Sequence, residues 1–174
     1  VIEVFKSVLS FLNANKLEKL QLKLLPSIYH QKPAKELNYA LFLAEAQLIR
    51  RDSMAVIDLP KKLLIASGRN EGIKKGIKNK LGIKEVDGFT EFWDGILIPN
   101  LAQKHQAKPV HSLEEITKLK ALFPNNIRQF NVYENGLIVA GTTIFETSTV
   151  AHCQYISGKE DKNDLGGLDL LFYQ

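Results

Sequence analysis

Apolar and polar positions alternate along the last third of the chain in the manner of half-buried strands. Three strands are predicted there, at residues 129–134, 137–143 and 150–157. The dipeptide Asn135-Gly136 joins the first two, because these residues readily supply the two positive φ angles of a tight type I′ turn. A polar, glycine-containing segment at 158–167 then leads into LDLLFYQ, which predicts the start of a helix. Backbone N–H groups at such a loop are suited to bind phosphate.

A helix with a basic surface is predicted at residues 63–80. Ile73, Ile77 and Leu81 are spaced four apart and predict one apolar stripe. The cationic side chains of this segment are Arg69, Lys74, Lys75, Lys78 and Lys80. Lysines that face water explain the pattern most simply, and an electrostatic guide for a phosphate-bearing substrate is the functional alternative. Aromatic residues are not interleaved with the lysines, which weakens the case for a nucleic-acid groove.

A short strand and two helices are predicted between this segment and the alternating region. The strand lies at 83–86 and the first helix at 89–102, with a kink or break expected near Pro99 because proline crowds the preceding turn. The capping box Ser112-Leu-Glu-Glu115 predicts the start of the second helix, which should end near residue 123.

The first third of the chain carries a weaker pattern. Apolar spacing favours a helix over residues 1–13. Partial alternation predicts short strands at 17–25, 39–43, 47–51 and 54–59.

The order strand, helix, helix, three antiparallel strands and glycine-containing loop resembles the core of the GNAT acyltransferase superfamily. More narrowly it resembles the FemAB-like branch, whose members carry two such folds in one chain. The resemblance implies an α+β fold with a mixed, largely antiparallel sheet flanked by helices and truncated at the C-terminus. Residues 1–62 are then the end of a first, incomplete GNAT-like unit, and residues 63–174 are the N-terminal part of a second.

The resemblance also implies a donor site. In GNAT proteins the strand before the glycine loop pairs with the pantetheine arm of acyl-CoA, and the loop holds the pyrophosphate. The corresponding residues here are Ile156, Ser157, Asn163, Leu165, Gly166 and Gly167. The superfamily loop has Gln or Arg, two residues, Gly, one residue, then Gly or Ala. Here Asn163 takes the first position and Gly167 comes one position early, which leaves both acyl-CoA and aminoacyl-tRNA open as donors.

Acyl transfer to an amine requires a base, a polarised carbonyl and an acid for the leaving group. By resemblance the candidates are Glu146, His152 and Tyr155. Each has a structural alternative: a surface turn residue, a hydrogen-bonded strand histidine and a core tyrosine, respectively. Cys153 has no adjacent cation to lower its pKa, and alternation places it on the strand face opposite His152, so a Cys–His nucleophilic pair is not expected.

The resemblance to FemAB-like proteins further implies that the cationic loop KHQAKPVH belongs to the substrate cleft, with His105, Lys108 and His111 binding the acceptor. Two histidines six apart, with a proline between them and no cysteine nearby, are a weak metal site, so no metal is expected.

Composition sets the outer limits of the function. With 174 residues, 45% of them hydrophobic and 24% charged, the chain is globular, and its net charge of +4 permits anionic ligands without demanding them. A single cysteine excludes an internal disulfide, and no apolar run is long enough to span a bilayer, which favours a cytoplasmic protein.

The leading hypothesis is therefore an acyltransferase that moves an acyl or aminoacyl group from acyl-CoA or aminoacyl-tRNA to an amine, with a small molecule or a peptidoglycan precursor as acceptor. The alternatives are a non-catalytic GNAT-like module that binds a ligand or partner, and a basic nucleic-acid-binding domain. An open sheet edge would also invite pairing into a homo-oligomer.

Overall fold

Residues 1–61, 63–160 and 162–174 are described by the computed structural model, except for the side chain of Lys162. The chain forms two units, residues 1–62 and 63–174. Helices occur in both units, and a four-stranded antiparallel sheet lies in the second, so the fold is α+β as predicted. The assignment of the units to two GNAT-like folds stays a prediction.

The first unit contains two helices. Helix α1 spans Ile2–Ala14, and helix α2 spans Glu36–Leu43. Single 3-10 turns lie at Ser27–Tyr29 and Leu59–Lys61. The helix predicted at the N-terminus is thus confirmed, whereas the strand predicted at 39–43 is wrong because this segment lies in α2.

The other strands predicted in the first unit, at 17–25, 47–51 and 54–59, are also wrong. Among the described residues these segments pair with no neighbouring strand. Alternating leucines remain partly open to solvent, as Leu20 at 43% and Leu24 at 41% exposure show. A strand is stable only when it is hydrogen-bonded to a neighbouring strand. Alternation of apolar and polar residues therefore does not produce a strand where no partner is present.

The sheet of the second unit confirms every strand predicted there. Its strands lie side by side in the order β1 (Gly82–Val86), β2 (Ile127–Glu134), β3 (Leu137–Glu146) and β4 (Ala151–Gly158). The β2–β3 turn has φ of 49° at Asn135 and 81° at Gly136, the two positive angles expected of a type I′ turn.

Helices cover both faces of this sheet. They are α3 (Ser67–Lys78), α4 (Thr90–Phe92), a π-helical segment (Trp93–Leu97), α5 (Ile98–His105), α6 (Leu113–Leu122), α7 (Lys162–Leu165) and α8 (Gly167–Tyr173). Ile127 of β2 packs with the fully buried Phe92 and Trp93. Val132 of the same strand packs with Leu171 of α8. Because side chains alternate along a strand, these two clusters lie on opposite faces.

Pro99 does not end the helix in which it lies. Residues 90–105 are continuously helical, and the π-helical turn comes just before the proline. A proline ring crowds the carbonyl four residues earlier, and the wider π turn accommodates that crowding without breaking the helix. The irregularity expected near Pro99 is therefore a π turn, and the helix continues beyond residue 102 to His105.

The capping box predicted before α6 is confirmed. The backbone N–H of Glu115 donates to Ser112 Oγ at 3.1 Å, and the Ser112 N–H donates to Glu115 Oε2 at 2.8 Å. The second of these bonds is the largest cause that lowers the pKa of Glu115. These reciprocal bonds satisfy donors that the helix itself leaves unpaired.

Helix α3 buries a different face from the one predicted. Gly72, Ile73 and Gly76 are buried, whereas Ile77 is 59% exposed. A Cβ on Gly76 would lie 2.8 Å from Leu170 Cβ of α8, so the glycines allow the two helices to approach closely. Close backbone packing thus orients α3 by its glycines, and the stripe predicted through Ile77 is wrong at that residue.

Candidate functional site at the fourth strand

Strand β4 forms one edge of the sheet in the described part of the chain. The Lys159 N–H donates to the Val139 carbonyl at 2.9 Å, which fixes the phase of the β3–β4 ladder. Hydrogen-bonded pairs alternate in an antiparallel ladder, so the backbone groups of Ser157 point to β3, and those of Ile156 and Gly158 point outward. Ile156 is 47% exposed. The strand therefore presents the outward N–H and C=O of Ile156 beside its exposed side chain.

A register shift lies in the middle of the same strand. The pairing passes from Thr143–Tyr155 to Ile144–Cys153, so Gln154 is an extra residue in β4. Such bulges bend a strand and redirect its side chains. Simple alternation therefore fails across Gln154. It does not tell which of His152 and Cys153 lies on the same face of the sheet as Tyr155.

Tyr155 and His111 are in direct contact. The Tyr155 hydroxyl accepts the backbone N–H of His111 at 3.1 Å and lies 2.7 Å from Nδ1 of the same residue. The phenol ring packs edge-on against Trp93, with 4.9 Å between the centroids, and Tyr155 is only 8% exposed. The structure thus joins a residue predicted to be catalytic with one predicted to bind the acceptor, 44 positions apart.

Ser157 is held by an amide that sequence reasoning missed. Asn100 Nδ2 donates to Ser157 Oγ at 2.8 Å and to the Gly158 carbonyl at 2.6 Å. The second bond agrees with an outward-pointing carbonyl at Gly158. Asn100 lies four positions after the buried Ile96, so the helical period placed an amide on the buried side, and this was the available signal.

The predicted phosphate loop is bound to α3. Lys75 Nζ donates to the Asn163 carbonyl at 3.3 Å, and Asn79 Nδ2 donates to the Leu165 carbonyl at 3.2 Å. Gly166 has φ of 72°, and a Cβ there would lie 2.0 Å from the Gly72 carbonyl oxygen. Helix packing is thus sufficient to explain why glycine stands at position 166.

Gly167 is placed differently. It is buried, and a Cβ there would meet Ala140, Leu81 and Val132 at ordinary contact distances of 3.5 Å or more. This residue therefore lies over the sheet, where a methyl group would fit.

Glu146 lies at the far end of β3. Its Oε2 accepts from Arg128 Nη1 at 3.2 Å, and the same guanidinium binds Glu85 at 2.8 Å. Thr142, the register partner of Ile156, is four residues from Glu146, or about 13 Å along the strand. The structure does not bring Glu146 to the exposed edge at Ile156.

The remaining predicted site residues are spread over the surface and the sheet. His152 is partly buried and lies opposite Phe145 in the register. His105 ends α5 and is exposed, as is Lys108 in the segment that follows. Burial raises the pKa of the Cys153 thiol, which opposes a role as nucleophile.

A second polar cluster enters the sheet from the surface. Thr143 Oγ1 donates to Gln129 Oε1 at 2.6 Å, and Gln129 Nε2 donates to Asn131 Oδ1 at 2.7 Å. Asn131 contacts the Tyr133 hydroxyl at 3.1 Å, and this hydroxyl donates to exposed Glu91. Burial and the Glu91 hydrogen bond raise the pKa of Tyr133. The cluster was not predicted, because only the fold reveals that its amides are buried.

Across the described ranges, no group of three His, Cys, Asp or Glu side chains is arranged to hold a metal ion. Within the same ranges, no helix combines the length and apolarity required to cross a bilayer.

Comparison of the sequence with protein-family models finds no match, and comparison with curated proteins finds none either. The likeness to GNAT and FemAB-like proteins therefore remains a prediction from the order of elements and the loop.

Proposed function

We propose that this protein is an acyltransferase of the FemAB-like kind, which transfers an acyl or aminoacyl group from a carrier to an amine. The observation that carries the proposal is the exposed edge of β4 at Ile156, next to the buried Tyr155 and its partly buried partner His111. An extended ligand with amide groups can add to such an edge as a further strand. The pantetheine arm of acyl-CoA has this chemistry, and the ester-linked end of an aminoacyl-tRNA is the alternative donor.

The reaction forms a C–N bond and breaks the bond between the acyl carbon and the carrier. The amine attacks the acyl carbon after losing its proton to a base, the carbonyl oxygen gains negative charge, and the leaving thiolate or alkoxide takes up a proton. The outward N–H of Ile156 suits the role of oxyanion donor. Tyr155 is the proposed acid, and a small molecule or peptidoglycan precursor is the proposed acceptor. Glu146 and His152 are the candidate bases by resemblance, and because each lies four residues along its strand from the Thr142–Ile156 pair, either would accept the amine proton through water rather than directly.

A non-catalytic module is the second candidate, and one observation favours it. The Tyr155 hydroxyl and Ser157 Oγ pair with His111 and Asn100 of the same chain. The space beside Gly166 is taken by α3. Groups that a catalytic site would direct at its ligand thus have internal partners, as expected of a fold that binds without reacting.

A thermal-shift titration of the full chain tests the donor. Acetyl-CoA, free CoA and inorganic phosphate are compared, and a ligand at about 100 times its Kd should stabilise the fold by roughly 2.7 kcal/mol. The matched variants are Ile156→Pro, which removes the outward N–H at an edge where proline is tolerated, and Ile156→Val, which keeps it.

A saturable shift with CoA species, absent with phosphate and in Ile156→Pro but kept in Ile156→Val, would support binding at the β4 edge. The same titration with charged and uncharged tRNA tests the second donor. A lack of response to both carriers would refute the acyltransferase proposal. Binding without release of CoA in the presence of amines would favour the non-catalytic module. The variants Tyr155→Phe, His152→Ala and Glu146→Ala would then be expected to leave the ligand-induced shift unchanged.

A further inference from the structure

The Tyr155 hydroxyl is held by two groups of one residue. Within the described residues, its hydrogen-bond partners are the backbone N–H of His111 at 3.1 Å and Nδ1 of His111 at 2.7 Å. The backbone group can only donate, so the phenol oxygen accepts from it. A hydroxyl has one hydrogen to give, and a neutral imidazole has one nitrogen that accepts.

These facts determine which nitrogen of the His111 imidazole carries the proton when the ring is neutral. Tyr155 is only 8% exposed, and polar hydrogens in such surroundings are generally paired. Nδ1, at 2.7 Å, accepts the phenol hydrogen only when the imidazole proton is on Nε2. With the proton on Nδ1, both His111 groups would donate to the phenol oxygen. The phenol hydrogen would then have no partner among the described side chains.

We propose that His111 is a positioning residue that controls the direction of the Tyr155 hydroxyl proton. In the neutral state, Nδ1 holds this proton. When His111 takes up a proton from solvent, Nδ1–H donates to the phenol oxygen, and the O–H of Tyr155 turns towards a ligand bound beside it. One proton is gained at the imidazole, and no bond to carbon changes.

The neighbours of His111 come from α6, the sheet and the π segment. Glu115 of α6 is a titratable neighbour, and its interaction with His111 is one of the causes that lower the pKa of the Glu115 carboxyl. The uncharged neighbours include Phe145 of the sheet, with ring centroids 6.2 Å apart, and Trp93 of the π segment, whose Nε1–H donates to the His111 carbonyl at 3.4 Å.

The inference rests on the proposed function in one respect: it takes the leaving group of the acyl transfer as the ligand that receives the hydroxyl proton of Tyr155. The hydrogen bond itself can be measured without any ligand. Imidazole side chains in general change charge between about pH 5 and 8, which sets the pH range of the test.

The test is ¹⁵N NMR of the full chain labelled in the histidine rings, followed from pH 8.5 to pH 5. At high pH, His111 should show an unprotonated Nδ1 that correlates with the Tyr155 hydroxyl proton, and this correlation should disappear as the ring becomes charged. Tyr155→Phe should abolish the correlation and leave the exposed His105 unchanged. A neutral ring protonated on Nδ1 would overturn the proposal, and because wild type alone decides this point, a poorly folded variant does not weaken the test.

Activity separates this inference from the proposed function. If the charged ring turns the Tyr155 O–H towards the ligand, CoA release by the wild type should increase as the pH falls and His111 becomes charged. His111→Asn keeps an acceptor near the position of Nδ1 but cannot become charged, so it should remove this increase. If the protein transfers no acyl group from acyl-CoA or from aminoacyl-tRNA while the Nδ1 correlation is present, the acyltransferase proposal fails and the positioning bond stands. If CoA release in His111→Asn keeps the wild-type pH profile, the positioning role fails and the enzyme assignment stands.

Discussion

Replacement of Gly166 by alanine tests whether this glycine serves the packing of α3. The residue has φ of 72°, and an added Cβ would lie 2.0 Å from the Gly72 carbonyl oxygen and 2.8 Å from the Gly76 nitrogen. Both neighbours are backbone atoms of a helix, so neither can move away alone. The methyl group can be accommodated only if α3 and the loop separate.

Two costs add in this variant. A left-handed conformation costs an alanine about 1–2 kcal/mol, and overpacking at a rigid site costs about 1–3 kcal/mol more. Gly166→Ala should thus lower the free energy of unfolding by roughly 2–5 kcal/mol. Gly136→Ala is the matched control, because φ there is 81° and nothing lies within 4 Å of the added Cβ, so only the first cost applies.

Urea denaturation, followed by the fluorescence of Trp93 in the core of the second unit, measures the free energy of unfolding of both variants. The two values can be compared when the denaturant slope m is the same. Gly68→Ala supplies a second control on α3 itself. Its added Cβ meets open space, and loss of a helix glycine should stabilise by up to about 1 kcal/mol. If Gly166→Ala costs no more than Gly136→Ala, the close approach of α3 and the loop is not a source of stability, and the packing argument is wrong.

Three further perturbations follow from contacts in the same unit. Ser112→Ala removes an N-cap acceptor and should cost about 1 kcal/mol in urea denaturation, while Ser112→Asp should not. Thr143→Val leaves Gln129 Oε1 without its buried donor and should cost about 1–3 kcal/mol, while Thr143→Ser should cost clearly less. The hydrogen bond to Arg128 lowers the pKa of Glu85, so this pair stabilises the fold above the unfolded pKa of about 4.3 and loses its effect as pH falls through the lower folded pKa. Because both side chains are well exposed, Glu85→Gln should cost only a few tenths of a kcal/mol at pH 7 and nothing near pH 2, and an equal loss at both pH values would contradict the assignment.

Local rules predicted the parts of the second unit whose determinants are close in sequence. The Asn135-Gly136 turn and the Ser112 capping box each need residues within a few positions, and both form as expected. The first unit shows the limit of the same rules. The strand predicted at 39–43 is helical, since a short apolar run does not distinguish a strand from a helix when no ladder partner decides between them.

The candidate site was predictable residue by residue but not as an arrangement. Tyr155 and His111 were both identified, yet their contact depends on the path of 44 residues through a helix, a cap and three strands. Asn100 was missed because an amide on a partly buried helix position has no motif of its own. Gln154 breaks the alternation of β4 through a bulge, which the sequence does not mark.

The structure also determines which variants can test function. Gly166 was identified by its resemblance to a phosphate loop, but its missing Cβ leaves room for the Gly72 carbonyl. Loss of ligand binding in a Gly166 variant would therefore have two explanations, an altered loop or a displaced α3. The outward backbone of Ile156 has no such second role in the ladder, since its hydrogen-bonding groups point away from β3. Substitutions at Ile156 thus separate function from stability, and the acyltransferase proposal is best judged at the β4 edge.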